Sequence, residues 1–76
     1  MKKEENEFRV RAIGKSDLAM LYNPHMSVRE ALRLLTRWMR RNEGLWCELQ
    51  ELGYRKSCKI LTPREVEVIT RHLGEP

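Results

Sequence analysis

The stretch 27–41 holds the side chains with the most chemistry to offer. Arg29, Arg33, Arg37, Arg40 and Arg41 recur there at steps of three or four until the closing pair. A guanidinium stays charged at any ordinary pH. Its planar fork of donors matches a phosphate, a carboxylate or the major-groove edge of guanine two bonds at a time. Steps of three and four put such residues on one side of a helix. Glu30 is the only acid in the stretch, so its net charge of +4 equals that of the whole chain.

Other reactive types are present without a partner at a telling spacing. Ser16 reads as a helix cap rather than a nucleophile. His25 follows a turn proline, and His72 lies on the flank of a helix. Neither has an Asp or Glu placed to make an acid–base pair in sequence. Cys47 and Cys58 lack a Cys-x-x-Cys spacing, and no His completes a metal set with them, so both read as free thiols. No Gly-rich phosphate loop occurs. We therefore expect no catalytic residue, no metal, no cofactor and no enzyme.

The arginines need a helix to align them, and 27–41 is one. Ser27 and Glu30 form a capping-box signature, and Met26 stands where it could staple onto Ala31. Val28, Ala31, Leu32, Leu34, Leu35, Trp38 and Met39 share an arc opposite the arginines. That arc is the expected core face, with Trp38 and Trp46 inside. Before it, Phe8-Arg9-Val10-Arg11-Ala12-Ile13 alternates like an edge strand with Phe8 and Val10 inward. Gly14 ends the strand. A short helix then starts at Ser16, with Leu18, Leu21 and Tyr22 on its buried stripe, and Asn23-Pro24 stops it. A short helix, a tight turn and a longer helix is a helix-turn-helix pattern.

Leu45, Trp46, Leu49 and Leu52 predict a third helix over 45–52. Gly53 is expected as its left-handed closing residue, with Tyr54 packing back. Residues 54–61 read as a short hairpin or an extended arm, a wing whose tip carries Arg55, Lys56 and Lys59. Thr62-Pro63-Arg64-Glu65 is a cap, a first-turn proline and a capping-box acid. Val66, Ile69 and Leu73 then give the last helix its core stripe, and Gly74 ends it.

Seventy-six residues, 41% hydrophobic and 34% charged, suit one small domain. The expectation is a disordered tail over 1–6 and a single mostly α, helix-turn-helix-like domain over 7–76. It has about four helices, a short N-terminal strand and a hairpin or wing before the last helix. Its stability should be only about 3–5 kcal/mol. No apolar run approaches a membrane span, and the charged start has no apolar region behind it, so a cytoplasmic chain without a membrane partner is expected. A sequence pI near 9.4 favours polyanionic partners.

Several motifs together resemble a known family. They are Lys15-Ser16-Asp17-Leu18-Ala19-Met20-Leu21-Tyr22-Asn23-Pro24, Arg37-Trp38-Met39, Leu45-Trp46 with Leu49, and Gly53-Tyr54-Arg55. Leu61-Thr62-Pro63, Val66, Ile69 and the ending His72-Leu73-Gly74-Glu75-Pro76 complete the set. The chain from about Phe8 to Pro76 thus resembles small bacterial proteins of the Bacteroidales, the domain of unknown function four-two-four-eight. That family has no established activity, so the resemblance implies no site residue. A looser resemblance runs to excisionase and MerR-type winged helix-turn-helix proteins. The chain departs from them in its longer second helix and in the extra helix at 45–52.

The functional expectation is a small DNA-binding or transcription-regulatory accessory protein. Duplex DNA would meet Arg29, Arg33, Arg37, Arg40, Arg55, Lys56 and Lys59, mainly through phosphates, with one or two stripe arginines near base edges. The alternative is a protein-interaction module that offers the same stripe to an acidic partner and binds no nucleic acid. A plain solvated helix face fits the arginine spacing equally well.

Overall fold

Side-chain caps start three of the four described helices. The computed structural model describes residues 9–76. The elements are β1 (Ile13–Gly14), α1 (Lys15–Tyr22), α2 (Val28–Arg41), α3 (Glu43–Glu51), β2 (Ile60–Leu61) and α4 (Pro63–Leu73). Ser27 caps α2, its hydroxyl accepting from the Glu30 amide at 3.2 Å. Asn42 closes α2 and opens α3, its side-chain oxygen accepting from the Leu45 amide at 3.0 Å. Thr62 and Glu65 form both halves of the expected box on α4. The Glu65 amide donates to the Thr62 hydroxyl at 3.2 Å, and the Thr62 amide to the Glu65 carboxylate at 2.9 Å.

The end of α3 is a Schellman turn. Gly53 adopts φ 87°, the left-handed conformation that favours glycine. Its amide bonds to Gln50 O at 3.0 Å, and the Tyr54 amide returns to Leu49 O at 2.9 Å. This turn directs Tyr54 inward, where it is buried.

The helices pack in sequence, α1 on α2, α2 on α3 and α3 on α4. Leu18, Leu35, Met39, Leu45, Leu49, Leu61, Val66 and Ile69 are fully buried among them. The strands pair antiparallel across the length of the chain, Ile13 with Leu61 and Gly14 with Ile60. The expected hairpin over 54–61 is not formed locally, because the strand at its end pairs with the N-terminal strand instead. Residues 54–59 form a loop that leads into β2.

Several expected positions differ. The alternation over 8–13 narrows to a strand of two residues, because β2 ends where Thr62 caps α4 and Pro63 has no amide to give. Val10 is consequently exposed rather than inward. Phe8 and the tail over 1–6 lie outside the described residues. The first helix begins at Lys15 with Gly14 as its cap, so Ser16 sits inside the first turn and caps nothing. Its buried stripe is Lys15, Leu18 and Ala19, which leaves Leu21 exposed.

On α2 only Ala31, Leu35 and Met39 are buried, a line of i, i+4 steps. Val28 is 51% exposed. Trp38 and Trp46 are half-buried, each set edge-on to a tyrosine. Tyr22 meets Trp38 with ring centres 5.9 Å apart, and Tyr54 meets Trp46 at 5.8 Å. The third helix begins at Glu43, two residues before the expected Leu45, and takes Gly44 into its first turn.

Candidate functional site

Arg29, Arg33, Arg37, Arg40 and Arg41 are all exposed on α2. Among the described residues the ion pairs are Arg71 with Glu48 and His72 with Glu48, so the α2 guanidiniums are uncommitted to carboxylates. Arg40 is turned toward α3 and lies over the Trp46 ring, 6.0 Å from its centre.

Two concavities organise the basic side chains. One is a groove of about 620 Å³ between the N-terminal end of α1, the face of α2 and the 54–59 loop. Val28, Leu32 and Cys58 supply its apolar surface, with Lys15, Arg33, Lys56 and Lys59 around them. Ser16 and Thr36 complete the lining. The other, of about 510 Å³, runs along α2 past Arg33, Thr36, Arg37, Arg40 and Arg41. Arg33 and Thr36 belong to both, so the basic surface is continuous from the loop lysines to Arg41. Among the described residues no carboxylate lines either concavity.

This arrangement sorts the expected site residues. It brings Arg33, Arg37 and Arg40 together with one another, and joins Arg33 to Lys56 and Lys59. Arg29 and Arg55 are exposed but line neither concavity. Lys15 and Thr36 join the surface unannounced, and Arg41, part of the arginine run but not among the expected DNA contacts, joins it as well.

Lys15 is the least expected member. It is 8% exposed. Its ammonium donates to Lys56 O at 3.2 Å and lies 5.1 Å from the centre of the Tyr54 ring. Its amide donates to Lys59 O at 2.8 Å. One residue thus holds the loop at two carbonyls and one ring. A lysine at the start of a helix gives no sequence signal for burial, since its partners lie about forty residues away.

Three acidic side chains gather away from this surface. Glu48, Glu51 and Glu67 line a separate hollow on α3 and α4, together with Arg64 and Arg71. His72 Nε2 donates to Glu48 Oε2 at 2.9 Å, and Arg71 lies 3.6 Å from Glu48 Oε1. The His72 hydrogen bond holds the Glu48 carboxyl below the ordinary glutamate range. Partial desolvation opposes that shift, and the Arg71 charge reinforces it. The histidine found unpaired in sequence therefore has an acid partner in space. Gly44 permits this packing, since a Cβ there would stand 3.3 Å from the His72 ring.

Tyr22 donates its hydroxyl to Gly74 O and ties the end of α1 to the end of α4. Burial and then the nearby Glu75 charge push its phenol up to about 12. Among the described residues no three His, Cys, Asp or Glu side chains group as metal ligands would. No described helix is long and apolar enough to cross a membrane.

No curated protein and no solved structure matches the chain. The looser likeness to excisionase and MerR-type proteins thus has no match behind it. One family model does match, and it spans residues 9–76 of the mostly helical unit just described. The chain belongs to the family described as Domain of unknown function (DUF4248).

Proposed function

We propose that the protein is a small DNA-binding accessory protein that meets the duplex with the exposed side of α2. The observation that carries this reading is the continuous basic surface from Lys56 and Lys59 through Arg33 to Arg41, which no carboxylate lines among the described residues. The basic residues of α2 are all arginine, which adds to it, because fixed forks suit phosphate oxygens and guanine edges. The succession of α1, a short turn over 23–27 and α2 supports a helix-turn-helix reading, in which the second helix would enter the major groove. In this reading Arg33 and Arg37 lie at the centre of contact, Arg29 and Arg40 flank them, and Lys56 and Lys59 reach the backbone. Arg55 is a peripheral contact. Fold alone does not fix function, so the reading rests on that surface.

Fluorescence anisotropy with a random duplex tests it. Binding at about 50 mM salt should weaken with a log–log slope near −0.9 per phosphate neutralised, and about four to six contacts are expected. A duplex left unbound at that salt would overturn the reading. A stoichiometric complex with an acidic protein in its place would move the same surface to the interaction-module class.

A further inference from the structure

The groove beside Arg33 has a chemistry that a phosphate backbone does not use. Its surface is apolar at Val28, Leu32 and Cys58, and cations stand around it. Val28 is the residue that the helix pattern assigns to the core, yet it is 51% exposed and opens onto this groove. The cavity lies within the usual range for small-ligand sites, about 300–1,000 Å³ with mostly apolar walls and a few polar groups. Its far wall is held before any ligand arrives, because Lys15 bonds to both Lys56 O and Lys59 O. Those bonds use the loop carbonyls and leave the Lys56 and Lys59 side chains exposed. A preorganised wall lowers the ordering cost of binding.

We propose that this groove is a binding site for a free small amphipathic anion, with an apolar body and one carboxylate, sulfonate or phosphate head. The body would cover Val28, Leu32 and Cys58. The head would meet Arg33, Lys56 and Lys59, which carry charge and find no carboxylate among the described residues that line the groove. A free molecule fits better than a lipid held in a bilayer. The apolar surface is recessed between α2 and the loop, and the adjoining exposed face of α2 is arginine rather than apolar. The proposal goes beyond DNA binding and stands without it.

The test uses decanoate as probe on the full chain, below its micelle-forming concentration and without DNA. Titration is followed by calorimetry and by amide shifts in NMR spectra. Saturable one-to-one binding is expected, with the largest shifts at Ser16, Leu32, Thr36 and Cys58. Decanol, which lacks the charge, and inorganic phosphate, which lacks the body, should each bind at least about tenfold more weakly, equivalent to about 1.4 kcal/mol. Val28→Glu places a carboxylate in the groove and should weaken decanoate by about tenfold or more. If that variant loses its helical circular dichroism, Val28→Ser with Lys59→Gln serves in its place. The proposal fails if decanoate does not saturate the chain, or if decanol binds equally well. It fails also if the shifts map elsewhere, if the folded variants bind unchanged, or if the chain binds anionic vesicles but no free decanoate.

Discussion

Arg33 stands where the two concavities meet, and its substitution should read differently from its neighbours'. It is exposed and belongs to no core contact, so Arg33→Ala should leave the melting curve in place. The same holds for Arg37→Ala. Each should weaken duplex binding, and a residue that meets a phosphate should lower the salt slope by about one. Lysine at either position separates two roles. A phosphate contact largely survives, whereas a bidentate contact to guanine weakens and loses specificity. Unchanged anisotropy titrations for both alanine variants would remove α2 from the interface. Glu48 is a residue whose charge should bear on the fold itself. Its carboxyl is lowered in the folded state, so its contribution is present above the ordinary glutamate range and disappears as pH falls through the lowered value. Glu48→Gln should therefore lower the urea midpoint near neutral pH, and the gap from wild type should close in acid. A gap of constant size from about pH 7 to pH 3 would show that the charge contributes nothing.

At the scale of elements, the ends of the helices were far more legible than their faces. Ser27, Thr62 with Glu65, and Gly53 act through partners three to five residues away, and such partners are visible in a sequence. Their effects should be correspondingly local. Thr62→Ala removes the acceptor of the Glu65 amide and should cost roughly 1 kcal/mol in a urea melt. Gly53→Ala forces a Cβ into the left-handed region at φ 87° and should cost about 1–2 kcal/mol, although nothing crowds the position. An unchanged midpoint for either variant would contradict the cap it removes. Helix faces are decided by neighbours that no local pattern shows. Val28 satisfies the helical period yet faces outward, because only the line of Ala31, Leu35 and Met39 is buried on α2, and Leu21 on α1 is exposed as well. Lys15 is the converse case, a charged residue drawn inside by a carbonyl and a ring from the distant loop. The arginine side of α2 could be read in advance, because five charges on one arc can only face water or a partner. The groove could not, since its walls come from three separate segments.

For the molecule as a whole, the two tryptophans carry less of the core than their size suggests. Each leaves part of its indole exposed and packs by an edge against a tyrosine. The centre belongs to aliphatic side chains instead. Leu35 is fully buried on the middle helix, and Leu35→Ala should cost about 2–5 kcal/mol. In a domain with about 3–5 kcal/mol of stability, that change should abolish the cooperative melt. Trp38→Ala should cost less than Leu35→Ala and leave a folded chain by circular dichroism. The reverse order would mean that Trp38 is the true centre of packing.

The two-residue sheet has a further consequence, in the order of events during folding. It joins segments on either side of the three helices between them, whereas α1 and α2 meet across a short turn. Long-range closure is slow and local closure is fast. The three central helices should therefore assemble first, with the β1–β2 ladder and the loop that Lys15 grips arriving last. The same asymmetry governs opening. In native-state hydrogen exchange the Lys15 amide, bonded to Lys59 O, should exchange through a partial opening that leaves the Leu35 and Met39 amides protected until the whole chain unfolds. Equal exchange free energies at these three amides would show that the ladder and the helices come apart as one unit.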